Sequence, residues 1–114
     1  MSESFGTKLR EYRRRVGMSQ RELARRIGRD FSYISKVEND RLPPPAADTV
    51  VKICEVLNIE PNELLALTGK LPSDVRLSVS TSESAQRFLR EAQELALSEE
   101  EWDSMIQSLW RLRE

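Results

Sequence analysis

The stretch SQRELARRIGRDFSYISKVENDR, residues 19–41, decides the fold of this 114-residue chain. Ser19 can cap a helix by accepting a backbone N–H, and Glu22 stands three positions later, which completes a capping box. Gly28 is a helix stop. Between these signals, three apolar residues follow helical spacing and form a buried stripe: Leu23, Ala24 and Ile27. The pattern predicts a short helix over 20–27.

A second short helix follows after a turn of three or four residues. Its apolar stripe is formed by Phe31, Ile34 and Val37, and Asn39 with Asp40 closes it, so the spacing predicts a helix over 31–39. Two short helices joined by a tight turn, the second with polar residues opposite its stripe, have the geometry that lets one helix enter a DNA major groove about 12 Å wide.

The flanking sequence extends this unit to an all-α domain of five helices over 5–69. A helix over 5–16 precedes it, with a stripe of Phe5, Leu9, Tyr12 and Val16 and a stop at Gly17. After the extended loop at Pro43–Pro45, a helix over 47–57 has Val50, Ile53, Cys54 and Leu57 on one face and Asn58 as its stop. A fifth helix opens at Glu60-Pro61, packs through Leu64, Leu65 and Leu67, and ends at Gly69.

The remaining residues predict a linker and two amphipathic helices. Residues 70–82 have no helical stripe and predict a linker, with a short extended piece at 75–79. Residues 83–113 predict two helices, the second capped by Ser98 with Glu101. Their apolar faces must be buried, so these residues are expected to form a dimer or partner interface: Phe88, Leu89, Leu95, Trp102, Met105, Ile106, Leu109 and Trp110. Self-association, packing on the same chain and binding of another protein all remain open.

Composition excludes several classes of protein. The chain has no His and one Cys, so common metal ligands and the usual general base are missing, and we expect no metal, no cofactor and no enzymatic activity. No apolar run approaches the roughly 18–20 residues that cross a bilayer, and the N-terminus lacks the apolar region of a signal peptide. A single Cys54 excludes a disulfide framework. These features predict a cytoplasmic protein.

The net charge of −1 conceals an asymmetry. Residues 5–41 contain eleven Lys or Arg against five Asp or Glu, a balance of +6, whereas residues 71–114 contain five against nine, a balance of −4. A basic half suits a phosphate-rich partner, although arginines that simply solvate helices would give the same count.

Residues 5–69 resemble the XRE and phage-repressor family of helix-turn-helix transcription regulators. The family pattern of S/T-Q-x-x-L-A, a Gly, and I-S-x-[IVL]-E-N is met by SQRELA at 19–24, Gly28 and ISKVEN at 34–39. The resemblance implies a double-stranded DNA-binding regulator. The chain departs from the pattern at Asp40, which stands where the family usually has Gly.

The base-contact candidates lie on the predicted reading helix, opposite its inward stripe. The hydroxyls of Ser32 and Ser35 can donate to or accept from base edges, and Lys36 can donate to guanine O6 or N7. Phe31 either packs in the core, which we prefer, or contacts a thymine methyl. Asp30 either caps the helix, again the preferred interpretation, or accepts from a cytosine amine.

The resemblance implies phosphate contacts around this helix. In the family, Gln20 would grip a phosphate together with the positive end of its helix. Tyr33, Asn39 and Arg41 would touch the DNA backbone, and Arg29 is a further basic candidate. Glu38 is expected to be structural, paired with Arg10 or Arg14, while Arg13, Arg14 and Arg26 either add nonspecific affinity or solvate a surface.

The sequence therefore predicts a sequence-specific DNA-binding regulator, and more finely a homodimeric repressor on a palindromic operator. An alternative is an antitoxin or protease-controlled anti-regulator whose C-terminal helices bind a partner protein. In either case the partners are double-stranded DNA and a protein, which is a second copy in the first hypothesis.

Overall fold

The computed structural model describes residues 3–114, and these residues form eight α-helices and no strand. The helices are α1 Phe5–Arg15, α2 Gln20–Arg26, α3 Phe31–Glu38, α4 Ala47–Leu57, α5 Asn62–Thr68, α6 Ser73–Ser80, α7 Glu83–Leu95 and α8 Glu99–Arg111. The all-α prediction is confirmed. The chain divides into two compact units, one ending at Val75 and the other running from Arg76 to Glu114. That boundary lies inside residues 70–82.

Helices α1 to α5 share one apolar core. The stripes predicted for α2 and α4 are buried, and burial of the Cys54 thiol raises its pKa to about 11, which suits an inert apolar role. The core consists of Phe5, Leu9, Leu23, Ala24, Ile27, Ile34, Val37, Val50, Ile53, Cys54, Leu57 and Leu64. This core holds α2 and α3 at a fixed angle to each other.

The connection between α2 and α3 depends on Gly28. Its φ of +74° lies in the left-handed region, where a side chain is disfavoured. The backbone N–H of Arg29 can then donate to the carbonyl of Ala24 at 2.9 Å, which closes the end of α2 and reverses the chain. At the other end of α2, Ser19 Oγ accepts from the backbone N–H of Glu22 at 3.0 Å. The Glu22 carboxylate accepts instead from Arg25 and Arg26, so the capping box is only half formed.

On α1 and α5, one side chain each that was assigned to an apolar stripe is exposed. Val16 is 46% exposed because α1 already ends at Arg15 and Val16 is the C-cap residue ahead of Gly17. Leu67 is 39% exposed on α5, where Leu64 is the fully buried residue. Both errors come from extending a helical stripe past the point where the core ends.

The extended piece predicted at 75–79 is wrong, because these residues belong to α6. Pro72, interpreted as a linker residue, precedes the first turn of a helix, where proline is tolerated. The backbone N–H of Ser73 donates to Asp48 Oδ1 on α4 at 2.8 Å, and its hydroxyl donates to the other carboxylate oxygen of Asp48. A contact with a residue 25 positions earlier thus supplies the N-terminal acceptor, which no local pattern shows.

The second unit contains α7 and α8, and the cap predicted for α8 is present. Ser98 Oγ accepts from the backbone N–H of Glu101, and the Glu101 carboxylate accepts from the N–H of Ser98 at 3.0 Å, so the predicted capping box is confirmed. Within residues 3–114, each helix is too short or too polar to cross a membrane.

Candidate nucleic-acid interface

The outer side of α3 carries the predicted base-contact residues. Lys36 is exposed, and Ser32 and Ser35 are half-buried beside it, while Ile34 and Val37 point into the core. Lys36 is the only lysine or arginine on α3. Its ammonium group is therefore the cationic hydrogen-bond donor that this helix presents to solvent.

Phe31 does not pack in the core, so the preferred interpretation is wrong. The ring is 62% exposed, and the guanidinium of Arg21 on α2 lies 5.4 Å from its centroid. Phe31 is the first residue of α3, where the apolar stripe has run beyond the core. The cation covers one face of the ring and leaves an apolar edge at the surface. Arg21 is not among the residues predicted from the sequence, because only the packing of α2 on α3 brings the pair together.

Asp30 does not cap α3 through its side chain, which corrects the second preferred interpretation. It occupies the N-cap position, but its carboxylate makes no hydrogen bond to the helix backbone. Asp30 Oδ2 instead accepts from Ser32 Oγ at 3.2 Å. One of the three predicted polar readers is thus engaged by a neighbouring carboxylate.

Glu38 is the centre of a buried ion-pair network. It is 2% exposed, and its carboxylate accepts from Arg13 Nε at 2.6 Å and Arg13 Nη2 at 2.9 Å. Arg10 Nε lies 3.4 Å from the same group. A structural role for Glu38 fits this geometry, but the principal partner is Arg13, not Arg14. Arg13 is itself buried and also donates to the carbonyl of Met18 at 2.7 Å, so it is not a surface arginine.

Two opposed effects set the pKa of Glu38. Burial alone raises the pKa of a carboxyl group, because it disfavours the charged form. Hydrogen bonds from Arg13, Gln20 and Arg10 outweigh burial, and the pKa of Glu38 is held below its ordinary value. The carboxylate is therefore ionised at neutral pH and fixes the cations around it.

The same network orients Gln20, the first residue of α2. Gln20 Nε2 donates to Glu38 Oε1 at 2.9 Å. An ionised carboxylate only accepts hydrogen bonds, so the amide nitrogen must face it, and that nitrogen carries a second N–H. Gln20 therefore keeps one amide donor in addition to the one that Glu38 uses.

The segment after α3 turns sharply at Asp40. Its φ of +59° is the left-handed conformation that the family's usual glycine adopts without cost. Asn39 is held on both sides: its Nδ2 donates to the Ser35 carbonyl at 2.9 Å, and its Oδ1 accepts from Arg10 Nη2 at 2.7 Å. Arg41 follows the turn and is exposed.

Gly6 lets α1 approach this turn closely. A Cβ at this position would lie 2.4 Å from the Val37 carbonyl oxygen and 2.7 Å from that of Glu38.

We expect Gly6→Ala to lower the free energy of unfolding by about 1–3 kcal/mol, because backbone atoms must shift to admit a methyl group. Urea denaturation followed by circular dichroism measures this change. Arg14→Ala, at an exposed position of the same helix, is the control and should stay within about 0.5 kcal/mol. A Gly6→Ala protein as stable as the parent would contradict the close approach.

Tyr33 and Arg29 form a second aromatic and cation pair. The Arg29 guanidinium lies 4.8 Å from the centroid of the Tyr33 ring, and Tyr33 is half-buried against the core. The ring is thus anchored on one side and carries a cation on the other. Tyr33 and Arg29, both candidates for phosphate contacts, are therefore held next to each other by this cation–π contact.

The distribution of ion pairs leaves this face basic. Glu22 is paired with Arg25 and Arg26, and Glu38 with Arg13 and Arg10. Within residues 3–114, no carboxylate lies at ion-pairing distance from four cations around α3: Arg21, Arg29, Lys36 and Arg41. A surface with these charges attracts a polyanion such as the DNA backbone.

Known proteins similar to this chain are also of the helix-turn-helix type. A family described as "Helix-turn-helix domain" matches residues 4–67. The uncharacterized HTH-type transcriptional regulator RghRB of Bacillus subtilis (strain 168) is 33% identical over 75 residues, which make up 63% of this chain and 54% of that protein. The chain thus spans about half the length of this relative.

Two solved structures are also similar. The hypothetical transcription factor NHTF from Neisseria is 33% identical, with 68% of this chain and 81% of that chain covered and a TM-score of 0.48. The SinR protein/SinI protein complex matches 96% of this chain and 99% of that chain at 22% identity, with a TM-score of 0.50. At that identity the second likeness concerns the fold alone.

Proposed function

Because this chain belongs to the XRE-like helix-turn-helix family of DNA-binding transcription regulators, we propose that it is a homodimeric repressor that binds a palindromic operator. Residues 5–69 bind DNA, and residues 83–113 hold two copies together. With α3 in the major groove of each half-site, the dimer occludes a promoter.

The proposed DNA recognition is supported by the outer side of α3. Lys36 is exposed there, and within residues 3–114 no carboxylate lies at ion-pairing distance from it. Lys36 donates to guanine O6 or N7, Ser35 and Ser32 contact neighbouring base edges, and the edge of Phe31 meets a thymine methyl. Phosphate contacts then set the register without reading sequence, and they come from Gln20, Arg29, Tyr33, Asn39 and Arg41. Gln20 takes part through the amide N–H that Glu38 does not use.

The exposed apolar faces of α7 and α8 support homodimerisation. In the single chain Leu95 is 74% exposed, Trp110 71% and Leu109 60%. Such faces are costly in water, and a monomeric helix-turn-helix domain reads only a short half-site. A two-fold dimer solves both problems, because it buries these faces and places two reading helices about 34 Å apart.

The exposed apolar faces of α7 and α8 also support a second candidate function. An apolar helix of another protein could cover α7 and α8 in place of a second copy, which would make the chain an antitoxin or anti-regulator whose DNA binding is secondary. A complex purified from the native cell that contains a stoichiometric second polypeptide would favour this candidate over the homodimer.

Lys36→Ala tests the reading helix. Selection of bound fragments from random duplex DNA first yields the half-site and its spacing. We then expect Lys36→Ala to lose operator discrimination, by about 5- to 150-fold for one good base contact, and to keep the parent melting temperature. The control is Lys70→Ala, which removes the same charge outside residues 19–41 and should leave the specificity ratio unchanged. If Lys36→Ala discriminates as well as the parent, Lys36 does not read bases.

A further inference from the structure

Five positions on the exposed side of α8 are arranged symmetrically about Ile106. Positions 99 and 106 are seven residues apart and share one face of α8, and positions 102 and 110 lie four residues on either side of the centre. Arg113 follows the C-cap residue Leu112, whose φ of −64° and ψ of −19° are still helical, so it continues the seven-residue spacing just past the helix end. Ile106 is 51% exposed and Trp110 is 71% exposed on this face. The sequence along the face is thus Glu99, Trp102, Ile106, Trp110, Arg113.

The two ends of this face carry opposite charges. Glu99 is in the first turn of α8, and Arg113 lies two residues beyond its last residue, Arg111. When two copies of α8 pack antiparallel and cross at Ile106, a residue of one copy faces the residue of the other copy that lies equally far on the opposite side of Ile106. Glu99 of one copy then faces Arg113 of the other, and Trp102 faces Trp110. A parallel arrangement would place like charges opposite each other at both ends.

We propose that a second copy of this chain packs its α8 antiparallel against α8, with the two-fold axis passing Ile106 and a Glu99–Arg113 ion pair at each end. The inference rests on the proposed homodimer and adds its geometry. The interface is isologous, as a closed two-fold dimer requires. The antiparallel arrangement also brings the negative C-terminal end of each helix dipole close to the positive N-terminal end of the other.

A cavity in the second unit accommodates this packing. It has a volume of about 390 Å³, and its lining is almost entirely apolar, with Phe88 from α7 and Trp102, Met105, Ile106 and Leu109 from α8. Trp102 lines it, and Trp102 is the residue that the partner's Trp110 faces in the antiparallel register. The exposed indole of Trp110 therefore has an apolar site to enter, which is the usual pattern of an aromatic anchor in a pocket.

Charge reversal tests the register in the chain of residues 1–114. Glu99→Arg places arginine opposite arginine at both ends, and Arg113→Glu places glutamate opposite glutamate. We expect each variant to raise the dimer dissociation constant about tenfold at low salt, measured by analytical ultracentrifugation. The double variant Glu99→Arg/Arg113→Glu restores the pairs, and its dissociation constant should return to that of the parent. A mixture of the two single variants should form heterodimers in excess of the statistical half.

Matched controls separate the register from effects on the helix ends. Glu100→Arg and Arg111→Glu change the same charges at the same ends of α8 but lie off the Ile106 face, and they should leave the dissociation constant unchanged. If the double variant stays as weak as the single variants, or if the mixture pairs statistically, the antiparallel register is overturned while the dimer stands. A parent protein that sediments as a monomer at micromolar concentration would overturn the proposed homodimer itself.

Discussion

Glu38→Ala is expected to lower the free energy of unfolding by about 3–5 kcal/mol, the range for breaking a buried ion pair from one side. Among the residues that the structure describes, the variant leaves the Met18 carbonyl as the remaining partner of the buried Arg13 guanidinium, and it also removes the contacts of Gln20 and Arg10 with the carboxylate. Urea denaturation at pH 7 measures the loss. Glu22→Ala is the control, since its carboxylate pairs with exposed Arg25 and Arg26, and it should destabilise the protein far less than Glu38→Ala does. A Glu38→Ala protein within 1 kcal/mol of the parent would contradict this role.

The same carboxylate has a predictable pH dependence. The pKa of Glu38 is lower in the folded protein than its ordinary value. The stability that this shift contributes is therefore present above the ordinary pKa and is lost as the pH falls through the lowered, folded-state pKa. The difference in unfolding free energy between the parent and Glu38→Ala should narrow over that acidic range. A difference that stays constant into strong acid would show that the charge of Glu38 does not carry the effect.

Ile106→Glu is expected to abolish dimerisation, raising the dimer dissociation constant by about 100-fold or more, because a charge would be buried at the centre of the interface without a partner. Operator affinity should fall with it, while affinity for an isolated half-site stays at the parent value. Ultracentrifugation and titration of labelled duplexes measure the two effects. The control is the neighbouring Gln107→Glu, which adds the same charge beside the face and should leave both values unchanged. An Ile106→Glu protein that remains dimeric would contradict burial of α8 between two copies.

Much of the fold could be predicted from short-range patterns. The stripes and stops of α2 and α4 follow helical spacing and end at residues that adopt left-handed φ, such as Gly28 and Asn58. These signals are local, because they depend on helix geometry and on the conformational preferences of single residues. Helix α6 was missed because its first N–H is satisfied by Asp48, which is distant in sequence.

The candidate site could be predicted in part. Its residues lie within one 23-residue stretch, so the motif identifies them. Their contacts depend on packing between helices. The exposure of Phe31 under Arg21, the choice of Arg13 over Arg14 for Glu38, and the use of Gln20 by Glu38 all involve pairs from different helices. A sequence pattern contains no angle between helices and so could not decide them.

The sequence by itself determined the all-α class, the helix-turn-helix and the basic character of the reading half, because helical period, capping and charge are properties of neighbouring residues. Only the tertiary structure decided which cations are buried and which face solvent. It also decided how closely α1 approaches the turn at Asp40, where Gly6 leaves no room for a side chain. These outcomes depend on distances between residues some 30 positions apart in the chain. Such distances exist only after the helices have packed around their common core.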